Sequence, residues 1–181
     1  EGAASVTVAF LHLFPSGANS ILLHLPAGNT ASPALVITGS GESLVLGNGS
    51  TLRNSSGAAS GDVILLSGQM RINNDGRYLH NTPRGNAALI DKLSVAAGTE
   101  LGIFEFDVPG TAGYTVSLTG NTFGSLVFSA SAAGGTKSYS GSGTSTMQIN
   151  GNWIILAGAS LTSTLSANIL LKGELVISGN L

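Results

Sequence analysis

The sequence predicts an all-β fold, specifically a right-handed parallel β-helix. Two observations lead to this prediction: short apolar runs alternate with turn residues, and the runs recur at near-regular spacing. The chain has 181 residues, of which 26 are glycine and only 9% are charged. This length suffices for one substantial domain with its own core. Glycine and proline interrupt the chain so often that helices are disfavoured. With 43% apolar residues and a net charge of -2, the chain is also not expected to be disordered.

Seven runs rich in Val, Ile and Leu have the length of single strands. They are SLVL (43–46), DVILL (62–66), YTVSL (114–118), SLVF (125–128), NWIIL (152–156), NILL (168–171) and ELVI (174–177). The segment 86–97 is different, because Leu89 and Leu93 can share one face of a short helix. The same segment also fits a strand followed by a turn, so both interpretations stay open.

Two pairs of segments align with each other. Residues 41–54 align with 68–81 at an offset of 27, and residues 149–156 align with 171–178 at an offset of 22. Drifting repeats of this size are typical of a solenoid, in which each repeat stacks on its neighbour.

The first alignment also makes two predictions about single positions. It predicts that Leu52 and Leu79 are equivalent inward residues, each costing about 2–5 kcal/mol of stability when cut to Ala. It further places His80 in the same exposed polar position as Arg53.

Asparagines lie at or beside glycine at several of the expected corners, namely Asn48, Asn74, Asn152 and Asn180. Asparagine tolerates left-handed backbone geometry, and its side chain can hydrogen-bond to the neighbouring turn. These corners therefore favour a β-helix. The alternative is an antiparallel β-sandwich or jelly roll, in which the same residues would form ordinary hairpin turns.

Two longer stretches carry a family resemblance. The motif Gly-x-Thr-Phe-x-x-Leu occurs at 120–126 and is followed by Ile-Asn-Gly at 149–151. Together with LLSGQMRINNDGRYLHN (65–81), the stretch 120–181 resembles the strand-rich repeats of large surface proteins that Bacteroidetes export through the type IX secretion system. The resemblance implies a right-handed β-helix, export to the cell surface or medium, and a long parent polypeptide.

The expected organisation follows from the same patterns. The apolar segment 5–15 lacks the Gly-Asn punctuation of later repeats, so residues 1–34 are expected to form an N-terminal cap or first coil. Residues 35–181 are expected to form the β-helix coils. The repeat pattern persists to the last residue, and the coils are therefore expected to continue beyond it.

Composition excludes several functional classes. The chain has no cysteine, which excludes disulfides, zinc–thiolate sites and thiol nucleophiles. Its seven Lys and Arg residues are dispersed, which argues against nucleic-acid binding. No run approaches the roughly 18 apolar residues of a membrane span, so no membrane insertion is expected. The sequence indicates no cofactor.

The closest pair of acids is Glu105 and Asp107, which share one face of a strand if residues 104–108 are extended. Glycosidases use two carboxylates roughly 5–9 Å apart, so this pair is the alternative catalytic site of a carbohydrate-active β-helix. No Arg, Lys or His lies nearby in sequence. The favoured interpretation is a solvated strand face, with Phe104 and Phe106 pointing inward and no catalysis.

The turn Asn73-Asn74-Asp75 is the alternative metal site, because its side-chain oxygens suit calcium. Calcium takes six to eight oxygen ligands and this turn supplies about three, so a plain turn is favoured. Trp153 is isolated from other aromatic residues and is assigned to packing rather than to a carbohydrate platform.

These observations lead to one functional hypothesis: a non-enzymatic structural or adhesive module of a secreted or cell-surface protein. Its expected partners are the secretion machinery and other copies or domains of a longer surface protein, with a glycan as a further partner. A flat glycan- or ice-binding face is a competing hypothesis. Thr115, Thr119 and Thr122 do not keep a fixed spacing, however, and so do not predict an ice-binding array.

Overall fold

The computed structural model describes residues 2–181 as a stack of short parallel strands. Each turn of the chain contributes up to three strands, and each strand pairs with its counterpart in the neighbouring turns. Every strand pairing among these residues is parallel. The predicted parallel β-helix is therefore confirmed, and the antiparallel sandwich is wrong.

The strands are two to seven residues long. In chain order the elements are β1 (Val6–Val8), β2 (Leu11–Leu13), β3 (Ile21–Leu25), β4 (Leu35–Ile37), β5 (Leu44–Leu46), β6 (Ser50–Asn54), β7 (Ile64–Leu66), β8 (Met70–Ile72), β9 (Arg77–His80), α1 (Ala87–Ile90), β10 (Ile103–Phe106), β11 (Tyr114–Thr115), β12 (Thr122–Phe123), β13 (Ser125–Phe128), β14 (Lys137–Gly143), β15 (Met147–Ile149), β16 (Trp153–Ile155), β17 (Ala159–Leu165), β18 (Ile169–Leu171) and β19 (Leu175–Ile177). All seven predicted runs contain a strand.

One sheet runs the length of the stack. Its seven strands lie in the order β3, β6, β9, β10, β13, β16 and β19, one from each turn. Alternate residues of these strands point inward and stack in ladders, because side chains of a strand alternate between its two faces. One inward ladder contains Leu52, Tyr78, Phe104, Leu126 and Trp153, all buried.

The other two sides of the stack are interrupted in the fourth turn. On one side the sheets are β1–β4–β7 and β11–β14–β17, and on the other they are β2–β5–β8 and β12–β15–β18. Between them lies α1, a single helical turn, followed by an isolated bridge that pairs Leu93 with Met70. The segment 86–97 thus combines both interpretations left open by the sequence. No helix among residues 2–181 is long and apolar enough to cross a membrane.

The offset of 22 is confirmed, but the offset of 27 is wrong for the strands it was meant to align. Trp153 pairs with Leu175, 22 residues on. Leu52, in contrast, pairs with Tyr78 at an offset of 26, so Leu79 lies beside Arg53 on the outward face.

The cause of this one-residue error is the conformation of the corner. In the second turn the left-handed residue is Gly49 (φ 73°), and in the third turn it is Asp75 (φ 61°), not Gly76. Gly76 is required for a different reason. A Cβ atom there would lie 2.6 Å from the carbonyl oxygen of Leu46, so the turns could not approach as closely as they do. Matching glycine with glycine therefore shifts the alignment by one residue.

Three of the predicted corner asparagines connect successive turns through their side chains. Asn48 Nδ2 donates to Asp75 Oδ2 (3.0 Å). Asn74 Oδ1 accepts from the Leu101 amide (2.8 Å), and Asn152 Oδ1 accepts from the Glu174 amide (3.0 Å). Each corner thus gains a hydrogen bond along the stack.

The outermost turns differ from the interior in exposure. Strands β1, β2 and β3 form the first turn and pair with the second. In the last turn Leu175 and Ile177 occupy inward positions, yet both are exposed, whereas Trp153 and Ile155 in the turn before are buried. Two expectations stay predictions. One is the capping role of residues 1–34, of which residue 1 lies outside the described part, and the other is the continuation of the coils.

The corrected register makes a stability prediction. Leu52 is completely buried, and we expect Leu52→Ala to lower the free energy of unfolding by about 2–5 kcal/mol. Leu22 lies on the neighbouring strand of the same sheet but points outward and is 62% exposed. Leu22→Ala is expected to cost below about 0.5 kcal/mol. Urea denaturation of both variants measures the difference, and equal losses would contradict the assigned register.

Candidate functional site

The outer face of β14 and β17 is a regular polar surface. Along β14, Tyr139 and Gly141 are buried and the intervening residues Ser138, Ser140 and Ser142 are exposed. In β17, Ala159 and Leu161 are buried and alternate with the outward hydroxyls. This alternation follows from the two-residue period of a strand. We call the outward side chains of β11, β14 and β17 the hydroxyl face; they are Thr115, Ser138, Ser140, Ser142, Ser160, Thr162 and Thr164.

Strand register places these hydroxyls in rows along the stack. Ser140 is paired with Thr115 on one side and Thr162 on the other. Two further rows pair Ser138 with Ser160 and Ser142 with Thr164. The Cα positions in one row are therefore about 4.8 Å apart, and neighbouring rows are about 6.7 Å apart. The result is a regular two-dimensional array built from serine and threonine together.

Two hollows lie along this array. The larger, of about 500 Å³, is lined by residues that include Asp62, Asn86, Thr115 and Ser142. The smaller, of about 230 Å³, includes Thr115, Ser142 and Thr162. Because Thr115 and Ser142 line both, the hollows form one open groove, which we call the hydroxyl groove.

The larger hollow exists because α1 takes the place of a strand in the fourth turn. That strand would have lain between β7 and β11. The edge of β11 that this replacement would leave unpaired is covered by the side chain of Asn86. Its Nδ2 donates to the carbonyl of Thr115 (3.1 Å), and its Oδ1 accepts from the amide of Ser117 (2.9 Å). One side chain thus supplies the two hydrogen bonds that a strand would have made, and it leaves open space beside it.

The hydroxyl groove carries almost no charge. Asp62 is the only charged residue among those that line the two hollows. Lys137 begins β14, but its residue is buried and its Nζ donates to three carbonyl oxygens, those of Pro109, Gly110 and Ala112. The groove therefore offers neutral donors and acceptors rather than a charged site.

A buried polar network lies inside the stack near the groove. His80 Nε2 lies 2.8 Å from the hydroxyl of Tyr114, and its Nδ1 lies 3.3 Å from the hydroxyl of Tyr78. Asn86 Nδ2 also donates to the Tyr114 hydroxyl (2.9 Å), and Asn54 Nδ2 donates to that of Tyr78 (3.3 Å). This network connects the core to the residue that covers the edge of β11.

Burial keeps the members of this network neutral. Loss of solvent lowers the pKa of His80 to about 4 and raises that of Tyr114 to about 12. The prediction that His80 occupies an exposed polar position is wrong, since it is 1% exposed and pairs with Asn54 rather than Arg53. Its surroundings are those of a core residue, with both ring nitrogens engaged.

Glu105 and Asp107 are held by structural hydrogen bonds. Glu105 forms an ion pair with Arg77 Nη2 (2.6 Å), which belongs to the preceding turn, and accepts from Ser129 Oγ (2.9 Å). Asp107 accepts from Ser131 Oγ (2.5 Å) and from the amide of Ala132 (2.8 Å).

The expectation of a solvated strand face for this acid pair is therefore wrong. The face is not solvated, since Glu105 is 7% and Asp107 6% exposed, and a basic partner is present. That partner is separated by 28 residues in sequence and becomes adjacent only through stacking. The inward position of Phe104 and Phe106 is confirmed, since both are buried.

The side-chain oxygens of the alternative metal site are used within the protein. Asn73 Oδ1 accepts from Arg71 Nε (2.5 Å), Asn74 Oδ1 from the amide of Leu101, and Asp75 Oδ2 from Asn48. Each oxygen is committed to a different neighbour, so the three do not converge on one point. Among residues 2–181 no cluster of three or more His, Asp or Glu is arranged to hold a metal.

Trp153 lies in the core, as predicted, and Tyr78 and Tyr139 are buried in the core as well. Fold and surface together define this protein as a parallel β-solenoid that carries a neutral, hydroxyl-lined groove on one side. No protein-family model matches the chain, and comparisons with curated proteins and with solved structures gave no match.

Proposed function

We propose that this chain is a structural and adhesive module of a secreted or cell-surface protein, with no catalysis of its own. The observation that carries the proposal is the hydroxyl face, a regular array of neutral hydrogen-bonding groups on a rigid stack. Such a surface can make many weak contacts at once, and linked weak contacts reinforce each other.

The position of the acids supports a non-catalytic role. Catalytic carboxylates need access to substrate and a pKa matched to proton transfer. Glu105 and Asp107 are buried, and their oxygens are engaged by Arg77, Ser129 and Ser131. The hydroxyl groove contains one acid, Asp62, without a second beside it.

Export is part of the proposal. The stretches 65–81 and 120–181 resemble repeats of type IX secretion cargo, and a surface poor in charge and free of cysteine suits an oxidising exterior. In this proposal the partners are the secretion machinery and further copies or domains of the parent surface protein.

Adhesion is tested with oriented beads. The chain has no cysteine, so Gly2→Cys provides a single attachment point at one end of the stack. Beads carrying it are allowed to settle on protein-coated, polysaccharide-coated and bare glass surfaces, and retention under shear is counted. We expect retention several-fold above that of albumin-coated beads on at least one surface. Retention no better than albumin on all of them would contradict the adhesive role.

Catalysis is tested on the same chain with a panel of polysaccharides. We expect no release of reducing sugar, because the acids at Glu105 and Asp107 are engaged within the fold. Glu105→Gln provides the matched control. Sugar release that this substitution abolishes would assign the chain to carbohydrate-active enzymes instead.

A further inference from the structure

We propose that the hydroxyl groove binds an uncharged, extended polysaccharide strand laid along the axis of the stack. This inference rests on the proposed adhesive function and names the chemistry of its partner. It follows from the direction of the groove, its repeat, the availability of its hydroxyls and its lack of charge.

The groove follows the stack axis. Its lining begins at Thr162 and Thr164 on β17, continues through Ser142 on β14 and Thr115 on β11, and passes Asn86. It ends at Asp62, just before β7. These residues belong to five successive turns, so the groove spans four inter-turn steps, or about 19 Å. A linear polymer can occupy such a groove over several units.

The strands that line the groove repeat at a constant spacing, and each contributes outward hydroxyls. Thr115, Ser140 and Thr162 form one row with one hydroxyl per turn, and Ser142 and Thr164 form a second. The sugar units of an extended polysaccharide recur at a spacing close to that between stacked strands. Successive sugars can therefore face successive turns over the short length of this groove.

Several of these hydroxyls are free to bind. Ser142 and Thr162 are exposed, and their hydroxyls have no hydrogen-bond partner among residues 2–181. The contacts of Thr115 with Ser140 (3.4 Å) and of Thr164 with the Gly141 carbonyl (3.5 Å) are long. A hydroxyl both donates and accepts, so this surface matches sugar hydroxyls, which do the same.

The lack of charge in the groove determines which class of polymer it can bind. It contains no cation to pair with a uronic acid or a phosphate, since Lys137 is buried and bound by three carbonyls. It contains no aromatic ring on which a sugar could stack, because Tyr139 faces the core. The groove therefore fits a neutral polymer, with each sugar weakly held and retention arising from many contacts.

Binding is measured by depletion of the soluble chain onto insoluble cellulose and chitin, with pectate gel as a charged polymer. The test variant Ser142→Ala/Thr162→Ala removes two unpaired hydroxyls from the groove. The matched control Ser16→Ala/Thr111→Ala removes two exposed hydroxyls elsewhere. We expect the wild type and the control to bind at least one neutral polymer in preference to pectate. The affinity of the test variant for that polymer is expected to be at least about five-fold lower. A further variant, Thr162→Glu, places a charge in the groove outside the core and is expected to lose binding as well.

Equal binding by the test variant and the control, preference for pectate, or no binding to either neutral polymer would overturn the inference. Thermal hysteresis that Thr162→Ala abolishes, without polysaccharide binding, would assign the face to ice and overturn it too. These failures are distinguishable from failure of the adhesive role. Beads that adhere to protein or glass but not to polysaccharide contradict only the inference, whereas beads that adhere to nothing contradict the proposed function.

Discussion

Phe106→Ala is expected to lower the free energy of unfolding by about 3–5 kcal/mol. Phe106 is completely buried at the centre of an aromatic cluster. Its ring stacks on that of Phe128, with centroids 5.5 Å apart and planes 8° from parallel, and it also contacts Phe104 (5.1 Å) and Tyr139 (6.3 Å). Truncation would leave a cavity bordered by these rings and by those of His80 and Tyr114, and stacked turns cannot easily collapse into it.

Thermal or urea denaturation measures this loss. Phe10 provides the control, because it is 56% exposed, and Phe10→Ala is expected to cost below about 1 kcal/mol. A loss of 3–5 kcal/mol is a large share of a typical stability, so Phe106→Leu is included as a milder variant with an intermediate loss. If Phe106→Ala costs no more than Phe10→Ala, the aromatic cluster does not stabilise the stack.

Acid is expected to destabilise the protein through His80. Burial lowers its pKa from 6.5 to about 4 in the folded state, so the unfolded chain binds a proton first as the pH falls. The contribution of neutral His80 to the free energy of unfolding is therefore fully present above pH 6.5, and it declines as the pH falls toward 4. The whole loss amounts to about 3 kcal/mol.

This contribution is isolated by a comparison with His80→Gln. Carboxylates titrate in both proteins, so the difference between their stability profiles reports the histidine alone. We expect the wild type to lose more stability than His80→Gln between pH 6.5 and 4, by about the amount given above. Parallel profiles over this range would mean that His80 is not held neutral inside the stack.

The fold class could be predicted from sequence because strand-forming runs and turn residues are local signals. The strand Ser125–Phe128 agrees with its predicted run to the residue, and the other six runs each contain a shorter strand. The 22-residue repeat of the last turns was also readable, since Gly151 and Gly173 occupy equivalent corners. The strand register between the second and third turns could not be predicted, because the left-handed corner residue is Gly49 in one turn and Asp75 in the next.

The candidate site was missed because its strands lack the expected apolar residues. In β14 and β17 the sequence reads KSYSGSG and ASLTSTL, which resembles a loop when only Val, Ile and Leu are counted. The signal present was alternation: hydroxyl residues at every second position across both segments. The threonine positions alone do not reveal the array either, because it combines serine with threonine.

Contacts between turns could not be predicted from the sequence, for a different reason. Arg77 and Glu105 are 28 residues apart, and only the stacking of β9 against β10 brings them together. The buried state of His80 likewise depends on rings from Tyr78, Phe106 and Tyr114, each on a different strand. The charge state of His80 and the pairing of Arg77 with Glu105 therefore follow from the strand register. An error of one residue in that register exchanges the inward and outward side chains of a strand.

The seven-turn stack, on which the hydroxyl face depends, is tested most directly by one distance along its continuous sheet. His24 and Val176 lie on the same outward ladder, in the first and last of the seven strands. Six inter-strand steps separate them, so spin labels at His24→Cys and Val176→Cys should lie about 30 Å apart. Pulsed electron paramagnetic resonance is expected to give a single narrow distribution near that value. A broad distribution, or a main distance below about 20 Å, would contradict a stack of seven turns in register.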